Sequence, residues 1–492
     1  MLTEIAILFA SVAILATLFV KYKYGYWKRR NVPYLEPTFP TGNNKRFFPK
    51  GFAIGQLSQY FYDEFKARGL KMGGVFLGLD PNLVLLDPED VRTVLIKDFN
   101  SFVDRGIYMT NKVPITVHMV SQRGPEWRNA RVKYTSVFTS AKMKIMYDTM
   151  KGCIKNMMPT LDDSSDRNLD VDVMDTIARF TTDSVGASIF GLECNCFKDP
   201  DAEFRKLGRH IFEQFSLADK MRLFMTVYFP TLAEKIGISN VQPEVTEKFS
   251  RIIKETVEYR EKNNVSRKDF LDMLIQLKNS GVQMTMDEII GQTYIFFTAG
   301  FETSATTTTM TLFELAENQG AQDRLREEVR GTFEKNNNDF PYESIMEMKY
   351  LGQAVDETLR KWPPVQTFPR TCVQDYKFPG KNLTIEKGTK VIIPVLGLHR
   401  DPDYYPDPEK WNPDRFEDRN KKLPAYYPFG DGPRNCIGSR FALMQVKLAL
   451  ATILMSYKVF PSPVTKKPLE LDPDTFVITV KPRVHLKFKK IR

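Results

Sequence analysis

The decapeptide Phe429-Gly430-Asp431-Gly432-Pro433-Arg434-Asn435-Cys436-Ile437-Gly438 decides how the rest of the chain is read. Glycines at 430 and 432 allow positive φ and let backbone N–H groups turn toward a sulfur. The apolar stretch that follows, Arg440 to Met455, reads as an amphipathic helix whose N-terminal dipole favours negative charge near Cys436. The loop is therefore suited to hold a thiolate, and a thiolate can bind a metal. A lone cysteine commonly serves as a small buried hydrophobe. That role needs neither three glycines nor an arginine and a phenylalanine at these offsets.

Upstream, Thr285-Met286-Asp287-Glu288 has the spacing of a capping box, and helical patterning continues to about Asn318, roughly 50 Å of helix. Its centre, Ala299-Gly300-Phe301-Glu302-Thr303-Ser304 followed by Thr306 to Thr309, is poor helix-forming material. Glycine costs up to about 1 kcal/mol against alanine, and threonine hydroxyls bond back to the preceding turn. Broken local rules inside an element often mark a functional site. Ala299 and Gly300 offer a face almost without side chains, against which a flat ligand can lie. Glu302 beside Thr303 can pass protons toward it. A glycine kept for helix packing is the alternative, and this helix taken alone favours it.

The decapeptide completes the pattern Phe-x-x-Gly-x-Arg-x-Cys-x-Gly and resembles the haem-binding loop of the cytochrome P-450 superfamily, where a cysteine thiolate holds the iron. Other segments resemble signatures of that family in its chain order. Trp127-x-x-x-Arg131 is similar to the early helix whose indole and guanidinium meet a haem propionate. Ala299 to Thr303 is similar to the oxygen-activation motif, and Glu357-Thr358-Leu359-Arg360 to a buried Glu-x-x-Arg pair. Pro413-Asp414-Arg415-Phe416 resembles the segment that supplies a second arginine, with Asp414 where glutamate is frequent.

The resemblance covers about residue 30 to the end and implies a mainly α (α+β) cytochrome P-450 fold with a minor β-sheet. It implies haem b (iron protoporphyrin IX) ligated by Cys436, with Ala299, Gly300, Phe429 and Gly438 around it. Arg105, Trp127, Arg131, Arg370 and Arg434 are its candidates for the propionates. Thr303 and Glu302 become the catalytic pair, and Glu357, Arg360 and Arg415 a buried structural network. The implied activity inserts one oxygen atom from O2 into an apolar small molecule with NADPH-derived electrons. The sequence has no G-x-G-x-x-G between a strand and a helix, so electrons are expected from a separate NADPH-dependent diflavin reductase, with cytochrome b5 as a further partner. Arg128, Lys133, Lys142, Lys144 and Lys447 are candidates for that docking face.

Val32-Pro33-Tyr34-Leu35-Glu36-Pro37 and the Asp431 form of the loop resemble insect microsomal members that oxidise plant toxins and insecticides. Substrate contacts are then expected from Ile107, Val117, Phe296, Phe297, Val365, Phe368 and Phe476. An endogenous hormone or lipid is the alternative substrate. A reductase-independent haem-thiolate isomerase, or a carrier, is the alternative chemistry; both leave Glu302 and Thr303 without a task.

The N-terminus adds a membrane element. Ile5 to Val20 carries no charge, and counted from Leu2 the run gives about 28 Å of helix, near the thickness of a bilayer core. No Lys or Arg precedes it, whereas Lys21, Lys23, Lys28, Arg29 and Arg30 follow, interleaved with Tyr22, Tyr24, Tyr26 and Trp27. This predicts an uncleaved signal anchor over residues 1–20 in the endoplasmic reticulum membrane, N-terminus lumenal and catalytic domain cytosolic. A basic, Pro-rich linker is expected over 21–49 and the catalytic domain over 50–492. A second apolar island, Leu223 to Leu232, is too short to span; a buried loop or helix end and a membrane-dipping patch are equally compatible with it.

Composition sets the outer limits. Of 492 residues 42% are apolar and 12% aromatic, which excludes disorder and low complexity. Five scattered cysteines make no disulfide framework, in keeping with a reducing compartment. A net charge of +10 fits an acidic partner or an anionic surface, and dispersed basic residues without a reading motif argue against nucleic acid.

Overall fold

The computed structural model describes residues 2–44, 54–212, 216–281, 284–418, 423–473 and 475–491. The chain forms two compact units, residues 1–106 with 366–398 and 430–434, and residues 107–365 with 399–429 and 435–492.

The first unit begins with the helix Leu2–Tyr24, none of whose residues is buried. Its 23 residues make about 34 Å, enough to cross a bilayer. The apolar run from Gly74 to Asp87 folds as a hairpin, β1 (Met72–Leu77) and β2 (Asp80–Leu85), in the register Met72↔Leu85 to Leu77↔Asp80. Gly78 supplies the left-handed φ of 62° that the tight turn requires. With β3 (Phe368–Thr371) and β4 (Lys390–Ile393) the sheet order is β1-β2-β4-β3, where β2 and β4 are parallel and the other pairs antiparallel.

The segment expected as a semi-rigid linker is docked on this sheet. Lys21–Tyr24 complete the helix, Trp27 is fully buried, and Tyr34 bridges Gly74 of β1. Proline spacing says nothing about such a long-range partner, which is why the sequence reads as a spacer. The expected boundary between residues 49 and 50 lies outside the described residues.

The second unit is mainly helical. Met286–Glu317, 32 residues long, is about 48 Å of helix and packs against Val173–Val185 and Ser439–Ser456. Its start is the expected capping box: the Glu288 amide donates to Thr285 Oγ1 at 3.1 Å, and the Thr285 amide donates to Glu288 Oε2 at 2.9 Å. The threonine-rich half stays helical because hydroxyls bond back one turn, as from Thr307 to the Thr303 carbonyl at 2.8 Å and from Thr311 to the Thr307 carbonyl at 2.7 Å.

One expectation changes in this unit: the β-branched run Thr475 to Val480 predicts part of the minor sheet. Thr475 to Val480 is mostly loop, closed by a 2.9 Å contact between the Thr475 and Thr479 hydroxyls; only Val480–Lys481 is strand, paired with Glu470–Leu471. Leu223 to Leu232 lies at helix ends: it closes the helix Leu217–Tyr228 and starts Pro230–Ile236, and Phe229 and Leu232 stay exposed.

Candidate functional site

In the second unit the loop before Ser439–Ser456 is fixed by backbone and side-chain bonds. The Cys436 amide donates to the Phe429 carbonyl at 2.8 Å. The Arg131 guanidinium donates to the Asn435 carbonyl at 2.9 Å and to Asn435 Oδ1 at 2.7 Å. Arg131 lies one helical turn beyond the buried Trp127 on Gly124–Thr135, so both occupy one face of that helix. Burial pulls the Arg131 guanidinium below its ordinary value, and the Cys436 sulfur opposes that shift.

The five thiols differ in accessibility. Cys196 and Cys372 are buried, Cys153 and Cys194 half-buried, and Cys436 exposed. Burial raises the Cys153 thiol to about 12 and the Cys372 thiol to about 11, and pushes Cys194 and Cys196 higher still. Those four stay protonated at neutral pH, and Cys436 is the thiol that the fold presents.

The long helix presents a stripe. From Ile289 to Ala316 every residue is buried except Ile295, Phe296, Ala299, Gly300 and Thr303, which recur at helical spacing on one side. The Thr303 hydroxyl donates to the Ala299 carbonyl at 2.7 Å, which leaves its oxygen lone pairs to accept. Gly300 also packs closely, since a Cβ there would lie 3.1 Å from Val185 Cγ2. The helix-packing alternative for this glycine thus has direct support.

Glu302 and Thr303 are neighbours in sequence but lie about 100° apart around the helix. Thr303 belongs to the exposed stripe. Glu302 is 4% exposed and borders a cavity of about 510 Å³ with Thr306, Thr309, Lys220, Asp472 and Thr475. Lys220 and Asp472 escaped sequence reasoning because they come from distant, motif-free segments, whereas Thr475 lies in the stretch Thr475 to Val477 expected to contact substrate.

The expected buried ion network is present in this unit. Glu357 and Arg360 are both fully buried; Arg360 Nε donates to Glu357 Oε2 at 2.7 Å and Arg360 Nη2 to Oε1 at 2.8 Å. The Asn412 amide and Arg415 Nε also donate to Oε1, at 2.9 and 3.3 Å. Arg360 Nη1 reaches the His399 carbonyl at 2.9 Å. His399, which no motif signalled, is buried and accepts from the Tyr427 amide through Nε2 at 2.8 Å.

The first unit holds a second cluster. Arg105 Nη2 donates to the Arg434 carbonyl at 2.9 Å, and Arg370 and Arg434 are 2% and 1% exposed. Arg370 is pushed well below the ordinary arginine value by burial first and then by the like charges of Arg105 and Arg434. Its buried Nε has no hydrogen-bond partner among the described residues. Buried charges of one sign are costly until an anion joins them. In the same unit, Gly430 and Gly432 take φ of 72° and 70°, and a Cβ on Gly432 would lie 2.0 Å from the Leu95 carbonyl oxygen, so that glycine is required for close packing.

The family model for cytochrome P450 matches residues 40–488. The chain belongs to the cytochrome P450 family. It is 39% identical to cytochrome P450 6A1 of Musca domestica over 98% of this chain and 96% of that one. It is 38% identical to cytochrome P450 6a8 of Drosophila melanogaster over 98% of each chain, and 37% identical to cytochrome P450 6k1 of Blattella germanica over 99% and 97%. The protein is therefore a cytochrome P450 monooxygenase; its family implies haem, generally takes electrons from redox partners, and acts on apolar substrates.

The other expected site residues differ in burial and surroundings. Phe297 is fully buried among the rings of Phe190, Phe204, Phe249 and Phe301, so it is core rather than a substrate wall. Phe296 is half-buried between the rings of Phe138 and Phe270, at 5.3 and 4.5 Å. Ile107, Val117 and Val365 of the second unit and Phe368 of the first are half-buried, and Phe476 is 60% exposed. Phe429 and Gly438 are half-buried, and a Cβ on Gly438 would meet nothing. Lys447 is 5% exposed with Nζ on the Met346 carbonyl at 2.9 Å, so it is unavailable to a docking partner; its place on the inner face of Ser439–Ser456 outweighs its charge.

Proposed function

We propose that this P450 is a membrane-anchored monooxygenase that oxidises apolar small molecules, among them insecticides or plant toxins. Electrons would come from NADPH through a diflavin reductase, with cytochrome b5 as a further donor. The observation that carries the reading is the exposed Cys436 thiol on a loop pinned by Arg131 and by the Phe429 carbonyl. In the second unit Cys436 would be the iron ligand of haem b, with Trp127 and Arg131 for its carboxylates; Arg105, Arg370 and Arg434 of the first unit are further candidates for carboxylate partners. Haem in that place supplies oxygen activation.

The chain's own residues do the rest. Arg131 and the Cys436 amide fix the sulfur. Ile295, Phe296 and Ala299 give the exposed stripe of the long helix an apolar wall suited to an apolar ligand, while Gly300 keeps it low. Thr303 holds its proton on the Ala299 carbonyl and offers its oxygen as an acceptor. Glu302, bordering the cavity about 100° around the helix, would serve as the proton relay. The insect relatives and the apolar stripe support a xenobiotic substrate. The apolar helix Leu2–Tyr24 and the basic residues after it support insertion in the endoplasmic reticulum membrane, N-terminus lumenal and catalytic body cytosolic.

The test is spectroscopic and then catalytic. The reduced protein with carbon monoxide is expected to show the long-wavelength Soret band of a thiolate haem, and Cys436→Ala to lose it. NADPH consumption is expected to require added reductase. A protein that stays colourless, or that keeps this band in Cys436→Ala, overturns the assignment.

A further inference from the structure

We infer that Gly208 is a positioning residue: it cuts a notch in the helix Glu203–Phe212 that seats the Phe301 ring, and so fixes the turn of the long helix that carries Gly300, Glu302 and Thr303. The inference rests on the proposal that this turn serves the reaction, and every residue it uses belongs to the second unit.

Glycine inside a helix loses more backbone freedom on folding than any other residue, so its place in the middle of Glu203–Phe212 calls for a contact that needs it. That contact is Phe301, which is fully buried. A Cβ on Gly208 would lie 2.8 Å from Phe301 Cζ, with Cε2 and Cε1 of the same ring at 3.3 and 3.4 Å. Gly331, inside the helix Gln319–Lys335, shows the contrast: a Cβ there would meet nothing within 4 Å.

The seat has no slack. Phe204 and Phe212 flank Gly208 one turn to either side on the same face, and their rings stand 5.4 Å from Phe297 and 5.4 Å from Phe301, so the two helices meet along one ridge. Phe297 closes on the Phe301 ring from within the long helix at 5.2 Å. The shorter helix is itself tied down. Arg205, 2% exposed, donates to Asp175 Oδ1 at 3.1 Å, and Gln242 Nε2 donates to the His210 carbonyl at 3.0 Å. Gly300 in turn packs on Val185, where its own Cβ would come within 3.1 Å of Cγ2. A methyl group at 208 must therefore be absorbed by the Phe301 ring or by the turn that bears it. Phe301 stands between Gly300 and Glu302 in sequence, so a shift there moves the low face and the cavity carboxylate together. Misplacing reacting groups by about 1 Å can cost about 100-fold in rate, which makes a small shift measurable.

The test uses the full-length, haem-loaded chain, with hydrogen exchange read by mass spectrometry over residues 300–307. Gly208→Ala is expected to speed exchange there by about threefold or more, and Gly331→Ala to leave it unchanged. Unaltered exchange in Gly208→Ala overturns the inference. Phe301→Leu removes the ring carbons that the new methyl would strike, so the double variant is expected to exchange more slowly than Gly208→Ala; a double variant that is as fast or faster overturns the contact. If Gly208→Ala alone gives no thiolate-haem band with carbon monoxide, return of the band in the double variant supports the notch, and its absence there overturns it. With added reductase, Gly208→Ala is expected to release at least about twofold more hydrogen peroxide per NADPH consumed. Faster exchange with unchanged peroxide release leaves the contact in place, and overturns both the role proposed for Gly300 to Thr303 and the positioning role of Gly208.

Discussion

Glu357→Gln is the most informative single change. The two carboxylate oxygens receive four N–H donors, from Arg360 Nε, Arg360 Nη2, the Asn412 amide and Arg415 Nε. Glutamine keeps the shape, removes the charge and aims an NH2 group at donors. Arg360, fully buried, is left with the carbonyls of His399 and Pro408 as partners and no counter-ion inside the network except through rearrangement. Breaking a buried pair in this way costs about 3–5 kcal/mol, against about 0–1 kcal/mol for a surface pair. The assay is urea unfolding followed by circular dichroism, with Arg360→Met and the double variant completing a cycle. The double variant is expected to lose less than the sum of the singles by about 0.5–3 kcal/mol, because the second change removes a charge that the first has stranded. Singles within about 0.5 kcal/mol of the parent, or strict additivity, would refute the claim that this network holds the unit together.

Further outcomes follow from the same geometry. His399 is held neutral, its value lowered from 6.5 to about 3 chiefly by burial and then by Arg360. The unfolded chain takes up a proton below pH 6.5 and the folded one does not until about 3, so stability from this residue is complete above 6.5 and declines as pH falls toward 3. The slope is about 1.4 kcal/mol per pH unit, and unfolding curves of His399→Asn across that window should lack it; an unaltered slope contradicts the assignment. Thr303→Ala removes the hydroxyl that donates to Ala299, and is expected to spend NADPH without matching product, whereas Thr303→Ser retains coupling; equal coupling in both rules the hydroxyl out. Asn264-Val265-Ser266 and Asn382-Leu383-Thr384 are glycosylation sequons with exposed asparagines, and both are expected to stay bare in eukaryotic cells. A mobility shift on deglycosylation would place the catalytic body in the lumen.

What the sequence revealed and what it hid divide along one physical line. Features made by neighbours in sequence were legible: the Thr285 to Glu288 capping box, the glycines of positive φ before Cys436, and the i, i+3 pairing of Glu357 with Arg360. Features made by packing across long separations were not. Pro33 and Pro37 read as a spacer because nothing local shows that Trp27 fits against Gly74. Lys447 read as a docking charge because helical spacing does not reveal that Met346 covers it. Phe297 read as a substrate wall because a phenylalanine in a core and one in a pocket look the same in a string of letters.

The acid–alcohol pair shows both sides of that line at once. The letters put Glu302 and Thr303 together, and the helix turns them apart, one to a cavity of mixed polar and apolar lining and the other to the stripe bearing Ala299 and Gly300. A proton that travels from one to the other must pass around the helix, by way of Thr306 or of water, since no side chain bridges about 100° of helical turn directly. Asp472, which no motif signals, lines that same cavity with Glu302.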